Sequence, residues 1–318
     1  MSVRLFDKTP PGIVCPHFYL LSWARGCPYD CSYCYLALTH RFRGLKPHYY
    51  SWERIQSAIE KFFASHEEPT LVNSGELSDS LMNPGLIEKI CDLFETQSTH
   101  KLLLLTKGCR LPSAHGLRPR LRVAGGSRIR FLVEKRYKQT VFSISVNAHE
   151  FAEIYEKRAP NIYERLEAAR SLGNFGYDVR IRIDPIIPLK LPISSRNAHS
   201  WKMAYRDLIK FMLDIMYVMP RRITLGTPRW YPGLPYWLKR AGRKDNFFEN
   251  FRTSRELCCD RRYRLKNRVE VYQYLIKWLR KYGYKGPIAL CKETFDVWMD
   301  LEIDLQMLPE EIRCNCTL

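Results

Sequence analysis

Residues 26–35 are Gly26-Cys27-Pro28-Tyr29-Asp30-Cys31-Ser32-Tyr33-Cys34-Tyr35, and their three cysteines are spaced C-x3-C-x2-C. The glycine and the proline favour a loop over a regular helix. Three thiolates on such a loop can bind three irons of a [4Fe–4S] cluster, which leaves the fourth iron open to another ligand. The spacing therefore predicts an iron–sulfur cluster bound by Cys27, Cys31 and Cys34.

A buried helix face and a zinc site both fit this spacing less well than a cluster. Cysteines at i, i+4 and i+7 could line the buried face of a helix, but Gly26, Pro28 and Asp30 disfavour one. A structural zinc site would need a fourth ligand at paired spacing. The only later cysteines at C-x-C spacing, Cys314 and Cys316, begin about 280 residues further on.

The composition is that of a folded protein. The chain has 318 residues, of which 46% are hydrophobic, and this is enough for one large α/β domain or two small ones. No apolar run approaches the ~20 residues of a membrane span, and residues 1–8 lack the apolar core of a signal peptide. We therefore expect a cytoplasmic protein with no membrane partner, whose eleven cysteines are reduced thiols or metal ligands.

The charge is strongly basic. Lysine and arginine number 51 against 33 acidic residues, which gives a net charge of +18. An excess of this size favours a polyanionic partner, and nucleic acid is the expected one.

Short apolar segments alternate with helical patterns along the chain. This β-α alternation predicts a partial (β/α) barrel of six or seven parallel strands with outer helices. The expected strands are Phe18–Trp23, Thr70–Asn73, Leu102–Leu105, Val141–Val146, Val179–Ile183, Ile223–Leu225 and Ile288–Leu290.

Reactive or ligand-like side chains lie on or directly after every one of these strands. The carboxyl ends of parallel barrel strands meet at one edge, so we expect these residues to share a site. They are the cysteine loop, Ser74-Gly75-Glu76, Thr106-Lys107, Ser143, Ser145 and Asn147, Arg182-Ile183-Asp184-Pro185, Gly226-Thr227-Pro228-Arg229 and Cys291-Lys292-Glu293.

The predicted domain organisation has two parts. Residues 1–300 form the barrel domain, with a basic insertion at about 109–138 between the third and fourth strands. Residues 301–318 form a C-terminal tail that carries the Cys-x-Cys motif.

With these motifs, the chain resembles the radical S-adenosylmethionine superfamily and, within it, the spore photoproduct lyase group. In that superfamily, S-adenosylmethionine (AdoMet) bound to the open iron is cleaved reductively to a 5′-deoxyadenosyl radical, and an electron donor such as a flavodoxin or ferredoxin is implied. The similar stretches are Cys31–Leu36, Leu105–Lys107, Phe142–Asn147, Arg182–Pro188, Ile223–Thr227 and Leu290–Glu293.

The resemblance also implies roles for single residues. Tyr33 would pack on the adenine of the cofactor. Glu76, which follows Gly75, would accept from the amino group, and Lys107 would pair with the carboxylate. A zwitterionic ligand needs such a fixed anion and cation. Ser145 or Asn147 would form a hydrogen bond with the ribose or the carboxylate of the cofactor.

Spore photoproduct lyase splits a methylene-bridged thymine dimer in DNA. A cysteine after an early strand returns a hydrogen to the product, and two tyrosines relay it, with Tyr33 and Tyr35 as the counterparts here. Glu76 stands where that cysteine is expected, and a carboxylic O–H bond is too strong to replace a thiol. Cys291 is the best alternative donor, unless the reaction itself differs.

Two further motifs lie outside this framework. Cations alternate with aromatic rings at Arg229–Tyr231, Tyr236–Arg240 and Arg261–Arg264, which is typical either of a groove for unstacked bases or of a solvated loop. Cys291, Cys314 and Cys316 are candidate ligands of a second metal centre.

The sequence thus predicts a radical S-adenosylmethionine enzyme that acts on nucleic acid, related to DNA photoproduct repair. One alternative is a radical enzyme that modifies RNA or a protein side chain. Another is a non-catalytic iron–sulfur protein that binds nucleic acid.

Overall fold

A computed structural model of the chain describes residues 2–109, 130–189, 200–229, 231–243, 247–248, 268–302 and 304–318, together with the backbone of residues 255–257 and 263–265. Most of the predicted basic insertion, Trp230, the pair Cys258-Cys259 and Arg261-Arg262 lie outside the described residues.

The central element is a sheet of eight strands. They are β1 (Val3–Phe6), β3 (Phe18–Leu21), β6 (Leu71–Asn73), β7 (Lys101–Thr106), β8 (Thr140–Ser145), β9 (Asp178–Ile183), β10 (Arg222–Leu225) and β13 (Ile288–Leu290). Their order across the sheet is β1-β3-β6-β7-β8-β9-β10-β13. β1 pairs antiparallel with β3, and the remaining neighbours pair in parallel.

Three small two-stranded sheets complete the β structure of the described residues. They pair β2 (Ile13–Val14) with β14 (Glu293–Thr294), β4 (Ala24–Arg25) with β5 (His48–Tyr49), and β11 (Arg255–Leu257) with β12 (Tyr263–Leu265).

Helices lie between the parallel strands, and one more follows the last of them. They are α1 (Leu36–Thr39), α2 (Trp52–Ser65), α3 (Pro84–Phe94), α4 (Phe131–Glu134), α5 (His149–Tyr155), α6 (Ile162–Asn174), α7 (Trp201–Lys210), α8 (Leu234–Arg240), α9 (Arg268–Lys281) and α10 (Phe295–Asp300), with a π-helical turn at Phe211–Ile215 after α7 and a 3-10 turn at Pro309–Glu311. No helix among these described segments is long and apolar enough to cross a membrane.

The predicted partial barrel of seven parallel strands is confirmed. The apolar sequence of β7 matches its position in the sheet. Leu102, Leu103 and Leu104 are all fully buried, as expected of a parallel strand that is covered on both faces. β1 was not anticipated from the sequence, because it is an edge strand with two exposed residues.

The last described segment, residues 314–318, lies against the inner face of the sheet. Asn315 is fully buried, and its amide donates to Ser143 Oγ on β8 (3.0 Å) and to the Ile181 carbonyl on β9 (2.9 Å). Its Oδ1 accepts from Thr224 Oγ1 on β10 (2.9 Å). Residues 314–318 thus supply the floor of the barrel interior.

Candidate active site

One cavity opens at the carboxyl edge of the parallel strands. The loops after β6, β7, β9, β10 and β13, the last residue of β8 and the cysteine loop after β3 and β4 all line it, as expected if the strand ends share a site. Among the lining residues are Cys27, Cys31, Cys34, Gly75, Glu76, Lys107, Ser145, Arg182, Asp184, Arg229, Cys291 and Lys292.

The cysteine loop is attached to the rest of the molecule at both ends. Gly26 has φ +76°, and a Cβ atom there would lie 2.6 Å from the carbonyl oxygens of Leu45 and Lys46. Only glycine fits this turn without displacing the neighbouring chain. At the other end, the backbone of Cys31 forms an antiparallel β-bridge with that of Glu156, and the Ser32 N–H donates to the Tyr155 carbonyl (2.9 Å).

The three thiols of this loop face the cavity from buried or half-buried positions. Burial, followed by the negative charges of Asp79 and the other two cysteines, raises the pKa of the Cys27 thiol well above its usual range. Burial also raises the pKa values of Cys31 and Cys34. Three thiolates here therefore need a cation to offset their charge.

The donor set fits an iron–sulfur cluster better than a single ion. Within the described part of the chain, no three Cys, His, Asp or Glu side chains are close enough to bind one metal ion. Each thiolate ligand of a [4Fe–4S] cube binds a different iron, so cube ligands stand further apart than the ligands of one zinc. Cys27, Cys31 and Cys34 would hold three of the irons.

Glu76 reaches the cavity because the chain before it passes very close to β7. A Cβ atom on Gly75 would lie 2.6 Å from Leu105 Cβ and 2.8 Å from Ser80 Oγ, so the position requires glycine. Glu76 Oε1 lies 3.7 Å from Lys292 Nζ. The carboxylate is therefore only loosely paired and can accept from a cationic ligand.

Lys107 lies directly after β7 and is oriented by two buried groups. Its backbone N–H donates to Asp79 Oδ2 (2.7 Å), and its Nζ donates to Ser145 Oγ (2.6 Å). Its ammonium is also 3.7 Å from Glu156 Oε1. The structure therefore brings Lys107 and Ser145 together on the wall of this cavity.

Glu156 is a neighbour of Lys107 and Tyr33 that the sequence did not indicate. Burial opposes ionisation of its carboxyl, but Lys107, Arg165 and the Tyr33 hydroxyl outweigh this and lower the pKa of Glu156 to about 2. Arg165 Nη1 lies 2.5 Å from Glu156 Oε2, and both side chains are almost fully buried. The single carboxylate of Glu156 thus pairs with two cations, Lys107 and Arg165. One positive charge near Lys107 is therefore not neutralised by it.

Three other predicted residues have protein partners. Tyr33 lines the cavity, donates its hydroxyl to Glu156 and contacts the Phe247 ring at 5.5 Å. Tyr35, which is 39% exposed, donates to the Glu76 carbonyl (2.5 Å). Asn147 is 1% exposed. Tyr205 and other groups inside the wall form hydrogen bonds with its side-chain amide, which therefore does not face the cavity.

A second set of thiols lies on another part of the cavity wall. It comprises Cys15, Cys291, Cys314 and Cys316, of which Cys15 had no assigned role in the sequence. Arg182 lies between two of them: Nη1 donates to Cys291 Sγ (3.4 Å) and Nη2 to Cys316 Sγ (3.1 Å). The structure thus brings the three candidate ligands of a second metal together, but around a guanidinium.

The predicted groove of aromatic and basic residues is described only in part. Arg229 points into the cavity rather than outward, and its Nη2 is 3.0 Å from both oxygens of Asp184. The Trp237 ring packs edge-to-face against the exposed Phe42 ring, with the ring centroids 5.8 Å apart. The Arg240 guanidinium lies 5.9 Å from the centroid of the Trp237 ring. Cations and rings therefore do alternate on the exposed face of α8.

Comparison with known proteins gives a structural match only. No model of a protein family matches the sequence, and no curated protein matches it either.

The fold matches solved structures of spore photoproduct lyase, a radical S-adenosylmethionine enzyme. Spore photoproduct lyase complexed with dinucleoside spore photoproduct has a TM-score of 0.66 and 19% identity, over 90% of this chain and 78% of that chain. A double mutant of that enzyme, with bound AdoMet and dinucleoside spore photoproduct, has a TM-score of 0.63 and 18% identity, over 86% and 75%. At this identity the similarity shows the fold, and the predicted resemblance is confirmed at that level.

Proposed function

We propose that this protein is a radical S-adenosylmethionine enzyme. Cys27, Cys31 and Cys34 would hold a [4Fe–4S] cluster, and Glu76, Lys107 and Ser145 would bind AdoMet beside it. The proposed substrate class is nucleic acid, with photoproduct-containing DNA as the first candidate, because the fold is that of spore photoproduct lyase.

The observation that carries this proposal is the arrangement of the cavity. Three thiols from one loop share it with an anion, Glu76, and a cation, Lys107, each on a loop after its own strand. An amino acid moiety such as that of AdoMet presents an ammonium and a carboxylate, so it requires one group of each sign. The cavity offers both beside the thiols.

The cluster and cofactor, when bound, would supply the 5′-deoxyadenosyl radical. The protein's own groups would bind and orient. The Glu76 carboxylate would accept from the ligand ammonium, while the Lys107 ammonium, held by Ser145 Oγ, would pair with the ligand carboxylate. Tyr33 and Tyr35 flank Cys34 and remain the candidates for a hydrogen relay. Tyr33 is also the candidate for a contact with the adenine.

Anaerobic purification and reconstitution test the cluster directly. We expect about four irons and four sulfides per chain, a brown colour, and formation of 5′-deoxyadenosine from AdoMet on addition of dithionite. Colourless protein that holds zinc would contradict the proposal. An intact cluster without cofactor cleavage would instead indicate a non-catalytic iron–sulfur protein.

Substitution of the cluster ligands provides the matched comparison. Cys27→Ala, Cys31→Ala and Cys34→Ala should each lose most of the iron, because the remaining two thiolates cannot retain the cube. Cys91→Ala is the control, since Cys91 is a fully buried thiol on α3 that does not line the cavity. Iron retention in all three loop variants would reject the site.

The choice of substrate is tested with ultraviolet-irradiated DNA, whose product nucleosides are resolved by mass spectrometry. Repair would restore thymidine from the photoproduct. If irradiated DNA is not converted while AdoMet is cleaved, RNA or a protein side chain becomes the substrate class to examine. The net charge of +18 supports a polyanion.

The hydrogen donor is a separate question, because Glu76 cannot replace a thiol. Cys291 lines the cavity after β13 and remains the proposed donor. Cys291→Ala should stop product formation while 5′-deoxyadenosine still forms. Unchanged turnover would exclude this thiol, and Cys15→Ala is a suitable control, since Cys15 lines the same wall.

Two further expectations stay predictions. An electron donor such as a flavodoxin or ferredoxin would reduce the cluster in place of dithionite. A second metal centre at Cys291, Cys314 and Cys316 would raise the iron or zinc content above that of one cluster. The Arg182 guanidinium lies between two of these thiols, which disfavours a metal ion at this place.

A further inference from the structure

The buried thiol pair Cys314 and Cys316 is not used by the proposed function. Both residues line the cavity and are only 6% and 7% exposed. They come from the segment that closes the barrel floor, where Asn315 between them is fixed by hydrogen bonds to β8, β9 and β10. The position of the pair is therefore defined by the sheet itself.

The backbone brings the two cysteines close together. Residues 314–317 form a turn, in which the Thr317 N–H donates to the Cys314 carbonyl (3.2 Å). Within such a turn, residues i and i+2 have the short Cα separation that a disulfide requires. The Cys316 N–H also donates to Cys314 Sγ (3.4 Å). The turn thus directs a hydrogen-bond donor at one sulfur of the pair.

The charges around the pair favour a thiolate. Arg182 and Arg229 are both largely buried, and both pair with the single carboxylate of Asp184, at 3.6 Å and 3.0 Å. Two guanidiniums and one carboxylate leave one positive charge without a carboxylate partner. Arg182 Nη2 approaches Cys316 Sγ to 3.1 Å, and Nη1 approaches Cys291 Sγ to 3.4 Å. Of these two sulfurs the one in the pair is nearer, so a thiolate shared by Cys314 and Cys316 can balance this charge.

We propose that Cys314 and Cys316 form a redox-active dithiol, which exchanges electrons with low-molecular-weight disulfides and thiols that enter the cavity. A thiolate of the pair attacks one sulfur of the small disulfide and releases one small thiolate, and a mixed disulfide forms. The second cysteine loses its proton and attacks the protein sulfur of that mixed disulfide, which releases the second small thiolate. The two cysteines lose two electrons and two protons, and the small disulfide becomes two thiols.

This exchange is distinct from the radical chemistry proposed above, although both use the same cavity. It needs neither the cluster nor AdoMet, so its test can succeed or fail whatever the outcome for the cluster. The reverse reaction, with excess small thiol, regenerates the dithiol.

The experiment uses the full chain, purified anaerobically and equilibrated with mixtures of reduced and oxidised glutathione, a linear small disulfide. After acid quenching, alkylation and digestion, trypsin cleavage after Arg313 releases residues 314–318, which contain these two cysteines and no others. We expect the dialkylated peptide to convert to an unalkylated internal disulfide in one two-electron transition. Full alkylation at every ratio would overturn the proposal.

Substitution of Arg182 tests the electrostatic basis. Without the guanidinium the thiolate is less stable, so Arg182→Met should shift the equilibrium at least tenfold toward the disulfide, and Arg182→Lys should restore part of the shift. Arg170→Met is the control, since Arg170 is a partly exposed residue of α6 that pairs with Glu167. An unchanged equilibrium in Arg182→Met would contradict the proposed stabilisation.

Two further results would decide against the proposal. A disulfide from Cys314 or Cys316 to Cys15 or Cys291 would show that the pair is not the redox unit. Iron retained by a Cys27→Ala/Cys31→Ala/Cys34→Ala variant, and lost with Cys316→Ser, would identify a metal centre instead.

In the otherwise unaltered chain, Cys316→Ser should trap a small thiol on Cys314, because serine cannot resolve the mixed disulfide.

Discussion

At the scale of single residues, the cavity is organised by shared charges. Glu156 pairs with both Lys107 and Arg165, and Asp184 pairs with both Arg182 and Arg229. Removing one member of a buried ionic group leaves an uncompensated charge and costs about 3–5 kcal/mol. The excess of cations also means that both groups are prepared for an anionic ligand, such as a carboxylate or a thiolate.

Lys107 gives the clearest prediction at this scale. Lys107→Ala should weaken AdoMet binding by about 10- to 100-fold, because a charged hydrogen bond is worth about 1.5–3 kcal/mol. The iron content should not change. Isothermal titration of reconstituted protein measures the affinity. Lys101→Ala is the control, since Lys101 lies at the opposite end of the same strand; equal affinity in both variants would remove Lys107 from the site.

Sequence patterns located most of these residues but not their partners. Lys107, Glu76 and Cys291 follow apolar strands, so their positions at one edge could be predicted. Glu156 is 123 residues from its partner Tyr33 along the chain, and Cys15 reaches the wall from before β3. No local period links such pairs, because only the curvature of the sheet brings them together.

At the scale of elements, the strand ends and the loops after them set the geometry. The seven parallel strands could be predicted to within one or two residues, because continuous apolar runs are typical of buried parallel strands. Asn83 precedes α3, and its side chain caps the first turn by accepting from the Leu86 N–H (3.2 Å). Ser51 also precedes a helix, but its side chain makes no capping bond.

The glycines of the loops provide a test at this scale. Gly26→Ala should lower the stability of the protein and its capacity for iron, because the new methyl group would clash with the Leu45 and Lys46 carbonyls at 2.6 Å. Gly44→Ala is a matched control: its φ is +72°, yet a Cβ atom there would meet no atom within 4 Å.

The two glycine variants should differ clearly. Gly44→Ala carries only the conformational cost, about 1–2 kcal/mol, and should load iron normally. Thermal unfolding of the apoprotein and iron content after reconstitution measure the two effects. Similar behaviour of both variants would show that the close packing around Gly26 does not position the cysteine loop.

At the scale of the whole molecule, the C-terminal segment joins distant strands. Arg222 Nη1 donates to the Cys314 carbonyl (2.7 Å), and Asn73 on β6 lies 3.8 Å from Cys316 Sγ. Together with the Asn315 bonds, these contacts connect β6, β8, β9 and β10 across the interior. The segment thus supplies hydrogen-bond partners for the buried Ser143 and Thr224 side chains.

Asn315→Ala should therefore destabilise the whole fold. It removes three side-chain hydrogen bonds and leaves Ser143 and Thr224 buried with fewer partners, at an expected cost of about 2–4 kcal/mol. Urea unfolding of the apoprotein measures this change. Leu318→Ala, at a position that is 40% exposed, should change the midpoint little; a similar loss there would assign the effect to the segment as a whole.

The placement of residues 314–318 also has a consequence for the order of folding. The side-chain hydrogen bonds of Asn315 reach Thr224, Ile181 and Ser143, which precede it by 91, 134 and 172 positions. Each of these contacts closes a long loop of chain, so it can form only after the strands have come together. We therefore expect the contacts inside the sheet to become ordered late in folding.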